Sequence, residues 1–330
     1  MPANDAYSAG PGAGLASQPA GGVIYDRGYR RYDGVRLGRP QIALALFWHS
    51  LRSAFGIGRG AKAKILPVIT FAALCLPAVV NAVAVAKGGP PVVFYGTYTF
   101  PLRVVVMTIF VAVQAPELVS RDLRSHVLPL YFSRPLRRRD YPAAKYAAFT
   151  VACLLMIELP LLLLYLGTII SANGGSGVWH QTSLLAGGLG VGALWAVLLA
   201  AIGLALACLS AKRAYATGAV AIFFFLTWTL AQIIYSVAGH PVVVHPAAGH
   251  PLPPGVAATA ATGITSGPRL AGLISPFTVL DGVRQWLGGK VPGPMAPPGH
   301  YGAVYGVMFL VLLAASLTVL AVRYRKAGVE

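Results

Sequence analysis

The chain has 330 residues, of which 56% are hydrophobic and only 11% are charged. Soluble domains average about 25% charged residues, so this composition excludes an ordinary soluble domain and predicts a protein that crosses the membrane several times. The formal net charge of +17 would suit nucleic-acid binding. However, the positive residues cluster at the ends of apolar runs, and we expect no nucleic-acid partner.

The first 40 residues are rich in Ala, Gly, Pro and Ser, and they become basic toward residue 40. A segment of this composition cannot bury enough apolar surface to fold. We therefore predict that residues 1–40 form a disordered basic cytoplasmic tail, whose charge suits contact with anionic membrane lipid. Residues 41–330 would form a single transmembrane domain.

Residues 41–55 predict an amphipathic helix. Its apolar face consists of residues at helical spacing, namely Leu44, Phe47, Trp48, Leu51 and Phe55. Polar side chains lie off this face: His49, Ser50, Arg52 and Ser53. We expect this helix to lie in the membrane interface.

Six apolar segments follow, each long enough to cross a hydrocarbon core of about 30 Å at about 1.5 Å per residue. The predicted spans are residues 65–86, 101–120, 147–172, 183–210, 214–238 and 301–322. In the fourth span, Gly188 and Gly192 have the GxxxG spacing that permits close helix approach. The fold class is therefore an all-α integral membrane protein with six transmembrane helices and an N-terminal interfacial helix.

The distribution of Lys and Arg predicts the orientation of the chain. Nine precede the first span, seven lie between the second and third spans, two between the fourth and fifth, and three follow the sixth. The loops on the other side hold two and three. Because cytoplasmic loops carry the excess of positive residues, both termini are predicted to be cytoplasmic.

Residues 239–300 are predicted to form a large external loop, in which residues 275–287 could form a short helix that dips at the outer surface. The loop contains His240, His245 and His250, but no regular periodicity places all three on one face, so we predict no metal site. The cysteines lie inside apolar runs and are interpreted as buried hydrophobic residues: Cys75, Cys153 and Cys208.

The most informative segment runs from residue 114 to residue 149, between the second and third spans. It holds seven of the 26 Lys and Arg residues and three of the nine acidic residues. It also contains apolar and aromatic residues, such as Val127, Tyr131 and Phe132, which a flank that only sets the topology would not need. We predict a cytoplasmic element that docks on a partner, with the plain topology flank as the alternative.

The order of residues in this segment resembles the first cytoplasmic loop of ABC-2 type transport permeases, the membrane subunits of bacterial ABC exporters. The matching residues are Glu117 at a helix end, Ser-Arg-Asp at 120–122, Ser-Arg-Pro at 133–135, a basic cluster at 137–139 and Lys145. The resemblance implies ABC-2 (type V exporter-like) architecture in the cytoplasmic membrane. It also implies two kinds of partner: a cytoplasmic ABC ATPase that binds ATP and Mg, and a second permease chain, identical or different.

The resemblance also implies which residues contact the ATPase and transmit its movement: Glu117, Arg121, Asp122, Tyr131, Phe132, Arg134, Pro135, Arg137, Arg138, Arg139 and Lys145. From its spacing, Glu117 is expected to pair with Arg121 one turn on. Glu158 lies inside the third span, where a carboxylate is costly and by default functional. It either lines a substrate path or satisfies a backbone group freed by Pro160.

The sequence contains no GxxxxGK[ST] phosphate-binding loop and no GxSxG or HExxH motif. We therefore predict that the chain is not an enzyme and binds no cofactor itself. The predicted function is the permease subunit of an ATP-binding cassette transporter that is driven by a separate ATPase subunit. The alternatives are a secondary transporter, for which no internal repeat is visible, and a non-transporting membrane anchor.

Overall fold

The computed structural model describes residues 38–87, 100–124, 137, 139–169, 174–237, 266–288 and 298–326. About 91% of these residues are helical, and none of them lies in a β-strand. The predicted all-α class is therefore confirmed for the described part of the chain.

The helices follow one another along the chain with short connections where both ends are described. They are α1 (Arg39–Ala54), α2 (Ala61–Ala86), α3 (Phe100–Arg124), α4 (Asp140–Ile169), α5 (Gly174–Ala207), α6 (Arg213–Val237), α7 (Ser266–Ala271), α8 (Pro276–Trp286) and α9 (Gly302–Lys326). Short 3-10 helices at Gly272–Ile274 and Gly299–Tyr301 precede α8 and α9.

Six of these helices, α2 to α6 and α9, are long and apolar enough to cross a membrane. They correspond one to one with the six predicted spans, and the chain is a multi-pass membrane protein. The largest differences are at the starts of α5, which begins at Gly174 rather than near residue 183, and of α4, which begins at Asp140 rather than near residue 147. The predicted span excluded Lys145 as a charge, whereas the structure buries Lys145 with a carboxylate partner, so the helix continues through it.

The centre of the bundle is formed by α3, α4 and α5. These helices contribute many fully buried side chains, including Phe110 and Phe149, whose ring centroids lie 6.1 Å apart. By contrast, α2, α6 and α9 are mostly exposed, and their exposed large residues are chiefly Val, Ile, Leu and Phe. Exposed apolar faces of this kind suit helices whose outer surface meets lipid.

Two glycines allow neighbouring spans to approach closely. A Cβ on Gly203 of α5 would lie 2.4 Å from Cγ1 of Val111 on α3. A Cβ on Gly167 of α4 would lie 2.6 Å from the Cβ of Ala82 on α2. Small residues at such contacts increase the packing area between spans, which is a main source of helix association in lipid.

The first helix packs on α3 and α4. Leu51 is buried, and the ring of Phe55 lies 6.5 Å from that of Phe110 on α3. Leu44 and Trp48 belong to the same predicted apolar face but are more than half exposed. One part of that face therefore contacts protein and another part is free to meet lipid, and the location of α1 in the membrane interface stays a prediction.

The short helix α8 is buried between α5, α6 and α9. Every residue from Pro276 to Arg284 is buried. The ring of Phe277 lies 5.3 Å from that of Trp195 on α5 and 5.2 Å from that of Phe224 on α6. The helix expected in residues 275–287 is present, and it is an integral part of the helix packing.

Candidate functional site

Charged side chains from several helices meet at one end of the bundle, where α3, α5 and α9 end and where α4 and α6 begin. We call this the basic end. Its side chains are linked by short polar contacts between helices, which we call the ion-pair network. The charged members are Arg59, Glu117, Asp122, Lys145, Arg213 and Arg323.

Glu117 is bonded to two arginines from other parts of the fold. Its side chain is 6% exposed, and its Oε1 lies 2.8 Å from Nη2 of Arg59, which precedes α2. Its Oε2 lies 2.8 Å from Nη1 of Arg213, the first residue of α6. A buried carboxylate is costly unless it is paired and hydrogen-bonded, and here each oxygen faces a guanidinium group. Glu117 thereby connects the end of α3 to the starts of α2 and α6.

Asp122 and Lys145 connect the end of α3 to the start of α4. The Nζ of Lys145 lies 2.9 Å from Oδ2 of Asp122 and donates a hydrogen bond to the carbonyl of Leu118 at 2.9 Å. The hydroxyl of Tyr141 donates to the same oxygen of Asp122, and the Lys145 ammonium lies 5.5 Å from the centroid of the Tyr141 ring. The two helices that flank residues 125–136 are therefore bonded to each other directly.

Two further side chains bond the end of α5. The hydroxyl of Ser120 on α3 donates to the carbonyl of Ala207 at 3.0 Å, and Nε of Arg323 on α9 donates to the carbonyl of Cys208 at 3.3 Å. Carbonyls in the last turn of a helix have no partner within it, so they are good acceptors for such contacts. As a result, α5 is joined to both α3 and α9 at the basic end.

The start of α4 is also bonded to the start of α1. Asp140 accepts two hydrogen bonds from Arg39, from Nε at 2.5 Å and from Nη2 at 2.6 Å, and a third from the backbone N–H of Arg137 at 3.0 Å. A carboxylate at this position also interacts favourably with the N-terminal dipole of α4. This pair is largely exposed to solvent, so it stabilises less than the buried pairs of Glu117 and Lys145.

The network joins helix ends that are far apart in the sequence. Ion pairs at helix ends often repack when helices shift between two arrangements. The packed side chains behind them resist gradual deformation. The basic end therefore joins the ends of α3, α5 and α9 to the starts of α2, α4 and α6.

From the predicted set, the structure brings Asp122 and Lys145 together, whereas Glu117 pairs with two arginines outside that set. Lys145 is only 5% exposed, so it holds α3 to α4 and does not itself present a surface to a partner. Arg137 and Arg139 lie just before α4 and are exposed. The remaining predicted residues lie outside the described part or have undescribed side chains, so their role and the Glu117–Arg121 pair stay predictions: Arg121, Tyr131, Phe132, Arg134, Pro135 and Arg138.

Sequence reasoning missed Arg59, Arg213 and Tyr141 as members of this site. Both arginines entered the orientation argument as positive charges near span ends, without partners. The available signal was indirect. Both arginines are predicted to lie on the same side of the membrane as Glu117, and a carboxylate that becomes buried when α3 packs inside the bundle is stable only with positively charged partners. Which cations reach it depends on helix packing and not on local spacing.

Glu158 lies apart from the ion-pair network, where α4 meets α5. It is 7% exposed, and its Oε2 is buried with no hydrogen-bond partner among the described residues. A Cβ on Gly192 of α5 would lie 2.5 Å from its Oε1. Glu158 was interpreted either as a hydrogen-bond partner of a backbone group freed by Pro160 or as part of a substrate path. No hydrogen bond of Oε2 supports the first interpretation, and the second stays a prediction.

Within the described residues, no three His, Cys, Asp or Glu side chains come together as a metal site would require. His240, His245 and His250 lie outside those residues. Comparison with models of known protein families gives no match, and comparison with curated protein sequences gives none either. The functional conclusion therefore depends on the sequence pattern and on the geometry of the basic end.

Proposed function

We propose that this chain is the permease subunit of an ABC-2 type exporter in the cytoplasmic membrane, with both termini in the cytoplasm. A separate ABC ATPase subunit would bind and hydrolyse ATP with Mg. A second permease chain, identical or different, would complete the transport path. The alternating access of that path to the two sides of the membrane would follow ATP binding and hydrolysis in the partner.

The observation that carries this proposal is the connection of Glu117 to both Arg59 and Arg213. Glu117 and Lys145 are the first and last of the residues predicted to contact the ATPase. Glu117 bonds the end of α3 to residues at the starts of α2 and α6, and Lys145 bonds the start of α4 to Asp122 and to the carbonyl of Leu118 at the end of α3. A partner that moves the segment between Glu117 and Lys145 would therefore move the ends of several spans together.

For ATP to drive a change of state, the ATPase must interact differently with the two arrangements of the permease. In this proposal, Tyr131 and Phe132 are apolar anchors that fill a groove on the ATPase. Arg134 and Arg138 meet acidic groups around it. Buried anchors determine affinity, whereas charges at the rim mainly affect the association rate and its salt dependence.

The test is reconstitution of the complex in liposomes with its ATPase, which is identified by co-purification of the native complex. We expect Tyr131→Ala or Phe132→Ala to reduce the yield of complex. We expect Glu117→Gln to leave assembly largely intact but to lower transport per ATP hydrolysed, because the docking surface remains while its connection to α2 and α6 is weakened. Glu330→Gln is the matched control, since it makes the same chemical change at the last residue. The proposal fails if no ATPase co-purifies or if all variants behave like the parent.

A second candidate function is a secondary transporter that is coupled to an ion gradient, and Glu158 is the observation that favours it. Carboxylates buried in spans serve as proton relays in such proteins. The two candidates differ in energy source. Transport by the chain alone, driven by a proton gradient and independent of ATP, would replace the first proposal with this one.

A further inference from the structure

Glu158 lies in the middle of the apolar part of α4, where an acidic side chain is costly. The carboxylate oxygen Oε2 has no hydrogen-bond partner among the described residues, although the side chain is more than nine-tenths buried. Burial of an acid without a partner lowers stability. The position therefore indicates a role in binding rather than in packing.

The fold leaves space for this carboxylate on the facing helix. A Cβ on Gly192 would lie 2.5 Å from Oε1 of Glu158 and 3.1 Å from Cγ2 of Ile157, so a larger residue would displace the carboxylate. The glycine thus determines where the carboxylate lies.

The two helices around Glu158 supply no cation of their own. After Lys145, α4 contains no Lys or Arg, and α5 contains none at all. The buried guanidinium of Arg103 on α3 lies over the ring of Trp195 on α5, 4.2 Å from its centroid. The carboxylate is therefore available to a cation that comes from outside the chain.

The surface of α4 beside Glu158 is apolar. On α4, Leu162 is 39% exposed and Leu166 is 57% exposed. A molecule that reaches Glu158 along this surface needs an apolar body, and it needs a positively charged head to bond the carboxylate.

We propose that Glu158 and Gly192 form an intramembrane binding site for the protonated amine of an amphipathic substrate. The proposal rests on the function proposed above, because this amine would be the cargo of the permease. The ammonium group donates charge-assisted hydrogen bonds to the carboxylate, and their mutual attraction is stronger in a low-dielectric surrounding than in water. The apolar part of the substrate lies against Leu162 and Leu166.

The test is direct binding of a fluorescent amine, dansylcadaverine, to the full chain in lipid nanodiscs without any ATPase. Its N-acetylated form is the matched probe, because it keeps the dansyl group and the chain length but has no positive charge. Empty nanodiscs measure partition of each probe into lipid. We expect Glu158→Gln to weaken binding of the amine by about tenfold or more, since a charge-assisted bond is lost. Binding of the acetylated probe should not change.

Two further variants complete the experiment. Gly192→Ala keeps the charge but displaces the carboxylate, so we expect it to weaken amine binding as well. If Glu158→Gln does not fold, the amine binding of Gly192→Ala tests the site instead. Glu330→Gln should bind like the parent. The site is refuted if the amine binds Glu158→Gln and Gly192→Ala as it binds the parent, or if the parent does not distinguish the two probes.

The outcomes separate this site from the proposed function. Amine binding that depends on Glu158, without any ATP-driven transport in the reconstituted complex, would refute the exporter and leave the site. If the complex transports with ATP but amine binding does not change when Glu158 is replaced, the binding site is refuted and the exporter function is retained.

Discussion

Removal of the carboxylate of Glu117 should destabilise the bundle more than removal of either arginine bonded to it. The substitution Glu117→Gln deletes two ion pairs at once, each at 2.8 Å. It also leaves Arg59 and Arg213 close to one another without the charge between them. In contrast, Arg59→Gln or Arg213→Gln leaves one arginine on the carboxylate.

The magnitude follows from the exposure of the three side chains. Breaking a buried ion pair by removing one partner costs about 3–5 kcal/mol. Here the side chains of Arg59 and Arg213 are 23% and 54% exposed, so both can turn partly to water. We therefore expect Glu117→Gln to lower the free energy of unfolding by about 1–3 kcal/mol. Arg59→Gln should cost about 1 kcal/mol, and Arg213→Gln should cost less because Arg213 is the more exposed.

The assay is reversible unfolding of the purified chain in mixed micelles, followed by loss of helical circular dichroism. Glu330→Gln serves as the control for the chemical change alone. Asp140→Asn, which breaks the exposed pair with Arg39, should have a smaller effect than Glu117→Gln. The reasoning is wrong if Glu117→Gln is no less stable than Arg213→Gln, because the central position of the carboxylate would then contribute nothing.

Three further predictions concern packing and orientation. Lys145→Met should lower the free energy of unfolding by about 2–4 kcal/mol, measured in the same assay, because it removes the buried ammonium that bonds α3 to α4. Gly203→Ala should destabilise by about 1–3 kcal/mol, since its Cβ would lie 2.4 Å from α3, whereas Gly218→Ala has no neighbour within 4 Å and should not. A reporter fused after residue 330 and one inserted near residue 255 should lie in the cytoplasm and outside, respectively, and the orientation is wrong if both lie on one side.

The number and the approximate positions of the spans were determined by the sequence alone. A segment in hydrocarbon must be apolar for about 20 residues and must satisfy its own backbone as a helix. Both conditions are local, so the composition and length of an apolar run are sufficient to locate a span. The pattern in residues 41–55 likewise predicted α1, whereas a helix in residues 275–287 was only an option that the sequence left open.

The tertiary structure decided which side chains meet. Glu117 bonds Arg59 and Arg213, Lys145 lies inside the helix pair and not at its surface, and Glu158 faces Gly192. None of these contacts follows from spacing along the chain, because each depends on the rotation and depth of two helices whose faces are nearly all apolar. An apolar face fits lipid and protein about equally well, so only the close approach of particular residues, such as Gly203 against Val111, selects one packing over another.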